Sequence, residues 1–156
     1  MIKISKKSQY GLRAMVCLAK HYKPKSRLRS NRGSPDFIED PRRCRDSTKS
    51  GKVCSTKTIS EIEGIPFDFL EKIISRLERA KLVKGKKGVL GGYILSRSPK
   101  KISVNDVVSV LEENKKTVNC ALCARLKKCS AKNVWSKLDD SLNKTLKSIT
   151  LENLIR

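Results

Sequence analysis

The stretch Ser60-Glu-Ile-Glu-Gly-Ile-Pro-Phe-Asp-Phe-Leu-Glu-Lys-Ile-Ile74 decides the fold. A short helix is predicted to begin after Ser55, because serine commonly caps helix N-termini. Gly64-Ile65-Pro66 then predicts a tight turn, and Pro66 suits the first position of a second helix. The apolar residues of that helix recur on one face: Leu70, Ile73, Ile74 and Leu77. This order predicts a helix-turn-helix unit, whose second helix places its first residues in the major groove of DNA.

A glycine-rich hairpin is predicted directly after this unit. Two short β-type runs, 82–84 and 93–95, flank a segment with four glycines: Gly85, Gly88, Gly91 and Gly92. Such a hairpin is a wing, and its lysines can contact phosphates beside the groove. The lysines along one side are Lys84, Lys86 and Lys87.

Helices are also predicted on both sides of this region. Residues 5–22 have an amphipathic helical pattern, and Ser103 with Asp106 resembles a capping box that opens a helix to Leu111. Residues 150–155 are expected to fold back as a short turn. Before them, apolar residues recur nearly every fourth position and must pack on the domain or on a twin helix: Val134, Leu138, Leu142, Leu146 and Ile149. The fold class is therefore mainly α with a small β wing.

Residues 24–52 interrupt the pattern. They contain Pro24, Pro35 and Pro41, many Ser and Arg residues, and hardly any apolar residue. This composition predicts a disordered basic insertion or arm. Cys44 lies within it, and a lone thiol on a flexible segment is not expected to be a metal ligand.

The overall charge favours a polyanionic partner. Lys and Arg number 36 against 15 Asp and Glu, which gives a net charge of +21. Neutralising phosphates with such cations releases counterions, so nucleic acid is favoured over acidic protein or membrane. No apolar run approaches the roughly 18 residues that cross a bilayer, and the N-terminus lacks a signal-peptide pattern, so a cytoplasmic protein is expected.

Three cysteines within ten residues predict a metal centre. They follow the pattern Cys120-x2-Cys123-x5-Cys129. Clustered thiolates suit a soft metal, either iron in an iron–sulfur cluster or zinc with one further ligand. No pattern indicates an enzyme: the chain has no nucleophile beside a histidine, no Walker loop and no helical metalloprotease pair.

Three segments make the chain similar to the Rrf2 family of winged-helix regulators, of the IscR, NsrR and CymR type. They are residues 60–74 quoted above, Leu77-Glu-Arg-Ala-Lys-Leu-Val83, and Lys87-Gly-Val-Leu-Gly-Gly-Tyr-Ile-Leu95. The opening Tyr10-Gly-Leu-Arg-Ala14 also fits, and the resemblance covers about 3–23 and 53–156. Residues 24–52 have no counterpart in the family pattern.

This resemblance implies a homodimer that binds an imperfect DNA palindrome. The implied domains are a winged helix-turn-helix domain (1–112), a cysteine cluster loop (113–132), and a dimerisation helix with a C-terminal turn (133–156). Phe67, Asp68, Phe69, Glu71 and Lys72 occupy the recognition-helix segment. Lys87 and Gly88 form the wing tip. Glu71 aligns with a base-contacting position, where a carboxylate can accept a hydrogen bond from cytosine.

The cysteines match the family's cluster loop, but the fourth ligand departs from the pattern. Lys132 stands where some relatives have a histidine, and Gln9 where others have an aspartate. Cys54, Gln9, a backbone atom or an exogenous thiol could complete the site, whereas His21, the sole histidine, is expected to be a surface side chain.

The function expected from these features is a DNA-binding regulator that senses iron–sulfur status or redox or nitrosative stress. A two-iron or four-iron cluster on Cys120, Cys123 and Cys129 would alter operator affinity. One alternative keeps the regulator but makes the thiols a zinc site or a cluster-free switch. Another is a basic structural protein that coats nucleic acid without sequence preference.

Overall fold

The computed structural model describes residues 4–22, 44–47, 51–88, 91–112, 123–124 and 128–155. Helix α1 (Lys6–Lys20) begins at Ser5, whose side chain accepts a hydrogen bond from the backbone N–H of Ser8. One face of α1 is buried in the core, and this face includes Ala14, Met15, Cys17 and Leu18. The predicted amphipathic helix is confirmed.

The helix-turn-helix unit consists of α2 (Thr56–Glu63) and α3 (Phe67–Arg79). Ser55 caps α2 as predicted, because its hydroxyl accepts from the N–H of Thr58 at 3.1 Å. Gly64 ends α2 with a φ of 60°, a left-handed conformation that glycine adopts without strain. The Ser60 hydroxyl donates to the carbonyl of Ile65 at 2.6 Å and holds the turn. Pro66 stands immediately before α3, one position earlier than predicted.

The apolar stripe of α3 lies at the centre of the core. Its members are almost fully buried: Leu70, Ile73, Ile74 and Leu77. Helix α1 crosses close to α4 (Val104–Leu111), since a Cβ at Gly11 would overlap the Leu111 side chain. The helix-turn-helix is therefore supported from behind by α1 and α4.

The wing is an antiparallel hairpin of β3 (Val83–Lys86) and β4 (Gly92–Leu95), with Val83 opposite Leu95. It is joined to α3 because the N–H of Gly85 donates to Glu78 Oε1 at 3.0 Å. Its other edge continues to Cys54, whose N–H donates to the Tyr93 carbonyl at 3.1 Å and whose carbonyl accepts from Tyr93 at 2.8 Å. The mainly α fold with a small β wing is confirmed.

A second hairpin, β1 (Arg45–Ser47) with β2 (Gly51–Val53), differs from the disorder predicted over 24–52. Here the chain is anchored at both ends, because Cys44 and Cys54 are joined by a disulfide and Cys54 pairs with the wing. Composition alone carries no sign of this anchoring. The other residues of the predicted insertion, 24–43 and 48–50, lie outside the described residues.

The C-terminal part contains α4, α5 (Lys132–Ser148) and α6 (Leu151–Leu154), after a 3-10 turn at Pro99–Lys101. The predicted capping box of α4 is present, with Ser103 and Asp106 each accepting from the other's backbone N–H. After α5 the chain returns to the core, where the N–H of Leu151 donates to Ile102 at 2.9 Å. The predicted terminal turn is thus a short helix, and Leu151 is fully buried.

Candidate DNA interface and cysteine sites

The start of α3 presents the residues predicted to contact DNA. Asp68, Glu71 and Lys72 are exposed, and Phe67 is 43% exposed although it is apolar. They project because α3 turns its apolar stripe to the core, which leaves the opposite face to solvent. An exposed aromatic and mixed charges at the start of this helix suit contacts in a major groove.

Phe69 belongs to the core contacts rather than to this surface. Its ring is half-buried and packs edge-on against Tyr10 of α1, with ring centroids 5.7 Å apart. The contact fixes the first turn of α3 against α1, so Phe69 positions the helix that carries its exposed neighbours.

Two cations of helix α1 lie over the Tyr10 ring, which packs against the first turn of α3. The Lys6 ammonium and the Arg13 guanidinium lie 6.0 and 5.9 Å from the centre of the Tyr10 ring. Arg13 also forms an ion pair with Glu63 at 3.2 Å and so links α1 to the end of α2. Lys6 lies four residues before Tyr10 and Arg13 three residues after it, so all three side chains share one helix face. This spacing was the sequence signal that could have predicted the contact.

The wing carries its predicted basic residues beside α3. Lys84, Lys87 and Gly88 are exposed, and Lys86 is half-buried. Tyr93 belongs to β4 of the wing and is close enough to α3 to interact with Glu78 and Glu71. Its burial, and then the charges of these two carboxylates, raise its pKa above the usual value. The phenol therefore stays protonated and able to donate a hydrogen bond across the physiological range.

Two of the three predicted cluster ligands are described in the segment that precedes α5. Cys123 is exposed and Cys129 half-buried, and both are free thiols. Cys120 lies outside the described residues, so convergence of the three sulfurs stays a prediction. The Cys129 carbonyl accepts from the N–H of Lys132 at 3.4 Å, and Ala131 gives α5 no side-chain cap. The unbonded N–H groups in the first turn of α5 carry a partial positive charge.

A second group of thiols is buried beneath β1 and β2. Cys44 is bonded to Cys54, so the expectation of a lone flexible thiol at Cys44 is wrong. The ligand atoms of Cys17, His21 and Cys44 all lie within 4.8 Å of one another. Burial, followed by the charge of Glu63, raises the pKa of Cys17 to about 11, so this thiol is protonated at neutral pH. The spacing of Cys17 and His21, one helical turn apart, was the only sequence signal.

Helix α5 is amphipathic, but none of its residues is buried. Of the predicted stripe, Val134 is 60% exposed and the other members are half-buried: Leu138, Leu142, Leu146 and Ile149. Trp135, which is not part of the stripe, is 37% exposed. Among the described residues, no helix has the length and apolar character needed to span a membrane.

Comparison with known proteins agrees with this architecture. A family model described as "Rrf2: Iron-dependent Transcriptional regulator" matches residues 46–156. Protein rrf2 of Nitratidesulfovibrio vulgaris (strain Hildenborough) is 29% identical over 159 residues, which cover 99% of this chain and 88% of that protein. The regulator IscR of Escherichia coli O1:K1 / APEC is 35% identical over 100 residues, and the match spans 62% of each chain.

The solved structures lead to the same fold. The structure of CymR (YrzC), described as the global cysteine regulator of B. subtilis, superposes with a TM-score of 0.68 at 29% identity. The superposition covers 99% of this chain and 97% of that one. These similar proteins are transcriptional regulators and not enzymes.

Proposed function

The chain belongs to the Rrf2 family of DNA-binding transcriptional regulators, and we propose that it senses iron–sulfur status or redox or nitrosative stress. The sensor would be an iron–sulfur cluster held by Cys120, Cys123 and Cys129. When bound, the cluster would supply a redox-active and oxygen-labile centre. We place this activity in the cytoplasm, where clustered thiols remain reduced.

One observation carries the proposal: the segment that precedes α5 contains two free thiols, and the start of α5 has no side-chain cap. Cys123 is exposed and Cys129 half-buried, so both are accessible to an incoming metal. The N-terminal end of α5 stabilises the negative charge that thiolate ligands bring. A change in the charge or position of Cys129 is passed to α5 directly, since its carbonyl accepts from Lys132 in the first turn.

We propose that α5 pairs with the same helix of a second copy. The helix buries none of its residues within the described chain, yet it has an apolar stripe over four turns. Half-buried Leu138, Leu142 and Leu146 would be covered by a twin helix in the manner of a two-helix seam. Movement at the cysteine loop would then alter the spacing between the two recognition helices.

The DNA contacts follow from the exposed surface. We propose that Phe67, Asp68, Glu71 and Lys72 contact bases in the major groove of each half-site of an imperfect palindrome. The wing would position the protein on the sugar-phosphate backbone through Lys84, Lys86, Lys87 and the N–H of Gly88.

Anaerobic reconstitution with iron and sulfide tests this function. The protein should gain iron-dependent visible absorbance, and Cys123→Ala and Cys129→Ala should each lose it. Ser130→Ala, a change beside the same thiols, is the matched control and should retain it. A parent protein that takes up no iron, or takes up only zinc at these thiols, would refute the cluster.

A further inference from the structure

We propose a second metal site, separate in sequence from the cysteine loop: Cys17, His21, Cys44 and Cys54 bind one Zn²⁺ when the Cys44–Cys54 disulfide is reduced. The ligands would be three thiolates and one imidazole, a set that zinc holds in tetrahedral geometry. Three of the four residues precede position 46, where the match to the family model begins.

The positions of the ligand atoms fit such a site. The donor atoms of Cys17, His21 and Cys44 lie within 4.8 Å of one another, and the Cys54 sulfur is bonded to that of Cys44. In a tetrahedral site with zinc–sulfur bonds of about 2.3 Å, the sulfur atoms stand about 3.8 Å apart. Zinc therefore requires the first three atoms to shift by about an ångström or less. The Cys54 sulfur is not within 4.8 Å of all three, so it must part from Cys44 and move toward the ion.

The backbone holds two ligands on each of two elements. Cys17 and His21 are one turn apart near the end of α1, so they share a helix face. Cys44 and Cys54 flank the β1–β2 hairpin, with their Cα atoms 4.5 Å apart. A helix pair facing a hairpin pair surrounds a small ion from two sides, as structural zinc sites do.

Burial favours a closed structural site over a solvent-facing one. Cys17, Cys44 and Cys54 are 2%, 3% and 0% exposed, and His21 is half-buried. Among the residues that the structure describes, no carboxylate belongs to this group, so its chemistry selects a soft cation over Mg²⁺ or Ca²⁺. Four protein ligands also leave no open position for a catalytic water.

The disulfide by itself does not account for the group. It uses Cys44 and Cys54 only, while the Cys17 thiol and the His21 imidazole lie beside it. A regulator acts in the compartment that contains DNA, where structural disulfides are rare. There a dithiol reductant would pass two electrons and two protons to the disulfide, giving two thiols, and would itself close to a disulfide. Zn²⁺ would then displace the protons of three thiols.

Metal at this position would stabilise the DNA-binding elements. Cys54 pairs with Tyr93 of the wing, and the next residue, Ser55, caps the first helix of the helix-turn-helix. Cys17 belongs to α1, which packs against α2 and against β4 of the wing. Zinc would thus join α1, the β1–β2 hairpin, the wing base and the start of α2 at one point.

The test uses the full chain with Cys120, Cys123 and Cys129 all changed to serine, so that the loop cannot bind metal. The protein is reduced anaerobically with a dithiol, loaded with Zn²⁺ alone, freed of excess metal, and analysed for zinc per chain. We expect one zinc. Cobalt(II) in its place should give the intense visible absorbance of tetrahedral thiolate coordination.

Variants within this background assign the ligands. Cys17→Ser and Cys44→Ser should each weaken zinc binding by about tenfold or more in competition with a chromophoric chelator. Lys57→Ala, an exposed change in α2, is the control and should bind as the parent does. His21→Ala alters a half-buried position. If a buried cysteine variant does not fold, the zinc affinity of His21→Ala tests the site instead.

Three results would overturn the site: no zinc in the reduced parent, unchanged zinc affinity in both Cys17→Ser and His21→Ala, or preferential uptake of iron. Because the loop thiols are absent throughout, these results are independent of whether the loop holds an iron–sulfur cluster.

Discussion

The two thiol groups of this chain differ in almost every physical property. Cys123 and Cys129 lie at the surface, before a helix that buries none of its residues. Cys17, Cys44 and Cys54 lie in the core, held between α1 and a hairpin. Exposure allows a signal to reach the first group, whereas burial isolates the second from solution. This difference is consistent with the sensing role proposed for the loop and the structural role proposed for the core group.

Thiol accessibility gives the largest expected difference. In the reduced native protein, Cys123 should react with an alkylating reagent at least about 100-fold faster than Cys17, which must wait for local opening of the core. Mass spectrometry of the peptides over a time course measures both rates. Similar rates in the native protein would remove the contrast, and equal rates in denaturant provide the control.

Operator binding separates the groups by function. Loss of one loop thiol in Cys129→Ala should abolish any iron-dependent change in operator affinity, a coupling expected to be about 5- to 150-fold. Cys44→Ser should retain that iron dependence, because the core group is not part of the proposed sensor. Titrations with operator and random duplex, with and without iron loading, measure both.

In the opposite result, Cys44→Ser would lose the iron dependence and Cys129→Ala would keep it. The two groups would then have exchanged roles. The random duplex also tests sequence preference. A regulator should prefer its operator by about 10³ or more, while a coating protein would bind both duplexes alike.

The wing contact with Cys54 supplies the next effect. A Cβ at position 92 would lie 2.6 Å from the Cys54 carbonyl oxygen, so Gly92→Ala must push β4 away from Cys54. We expect a loss of about 1–3 kcal/mol in the free energy of unfolding. Gly88→Ala at the wing tip is the comparison, because a Cβ there meets no atom within 4 Å. Both glycines have a positive φ, 130° at Gly88 and 159° at Gly92, so alanine is strained at either position. The loss at position 92 should be the larger, and a loss no greater than that at position 88 would show that the contact with Cys54 has no weight.

Sequence patterns predicted the parts of this molecule that local chemistry determines. Gly64, Ser55 and the Ser103–Asp106 capping box act within a few residues, and the stripe from Leu70 to Leu77 needs only helical periodicity. The core thiol group was not predicted, because it depends on bringing together Cys17 and Cys44, which are separated by 26 residues. A proline-rich composition carries no information on that closure.

The start of α1 offers a thiol-free reference for the same helix that holds Cys17. There the N–H of Ser5 donates to Glu112 Oε1 at 2.9 Å and joins α1 to the end of α4. Partial burial raises the pKa of Glu112, but the hydrogen bonds from Ser5 and Ser8 outweigh it and the net pKa is lowered. Because the folded-state pKa is the lower one, the contact stabilises the fold above the unfolded pKa of about 4.3 and is lost as pH falls through the folded value.

Glu112→Gln should therefore cost about 1 kcal/mol or less at pH 7, since the carboxylate is largely solvated, and the cost should vanish in acid. Chemical denaturation at several pH values measures this. Glu61→Gln, at an exposed position in α2, is the matched control. If metal at the core group supports α1, the Glu112→Gln cost should be the same with and without zinc, because the two contacts lie at opposite ends of the helix and additive changes are expected. A cost that falls strongly on zinc loading would mean that the two ends of α1 detach together, and the core group would then control the docking of the whole helix.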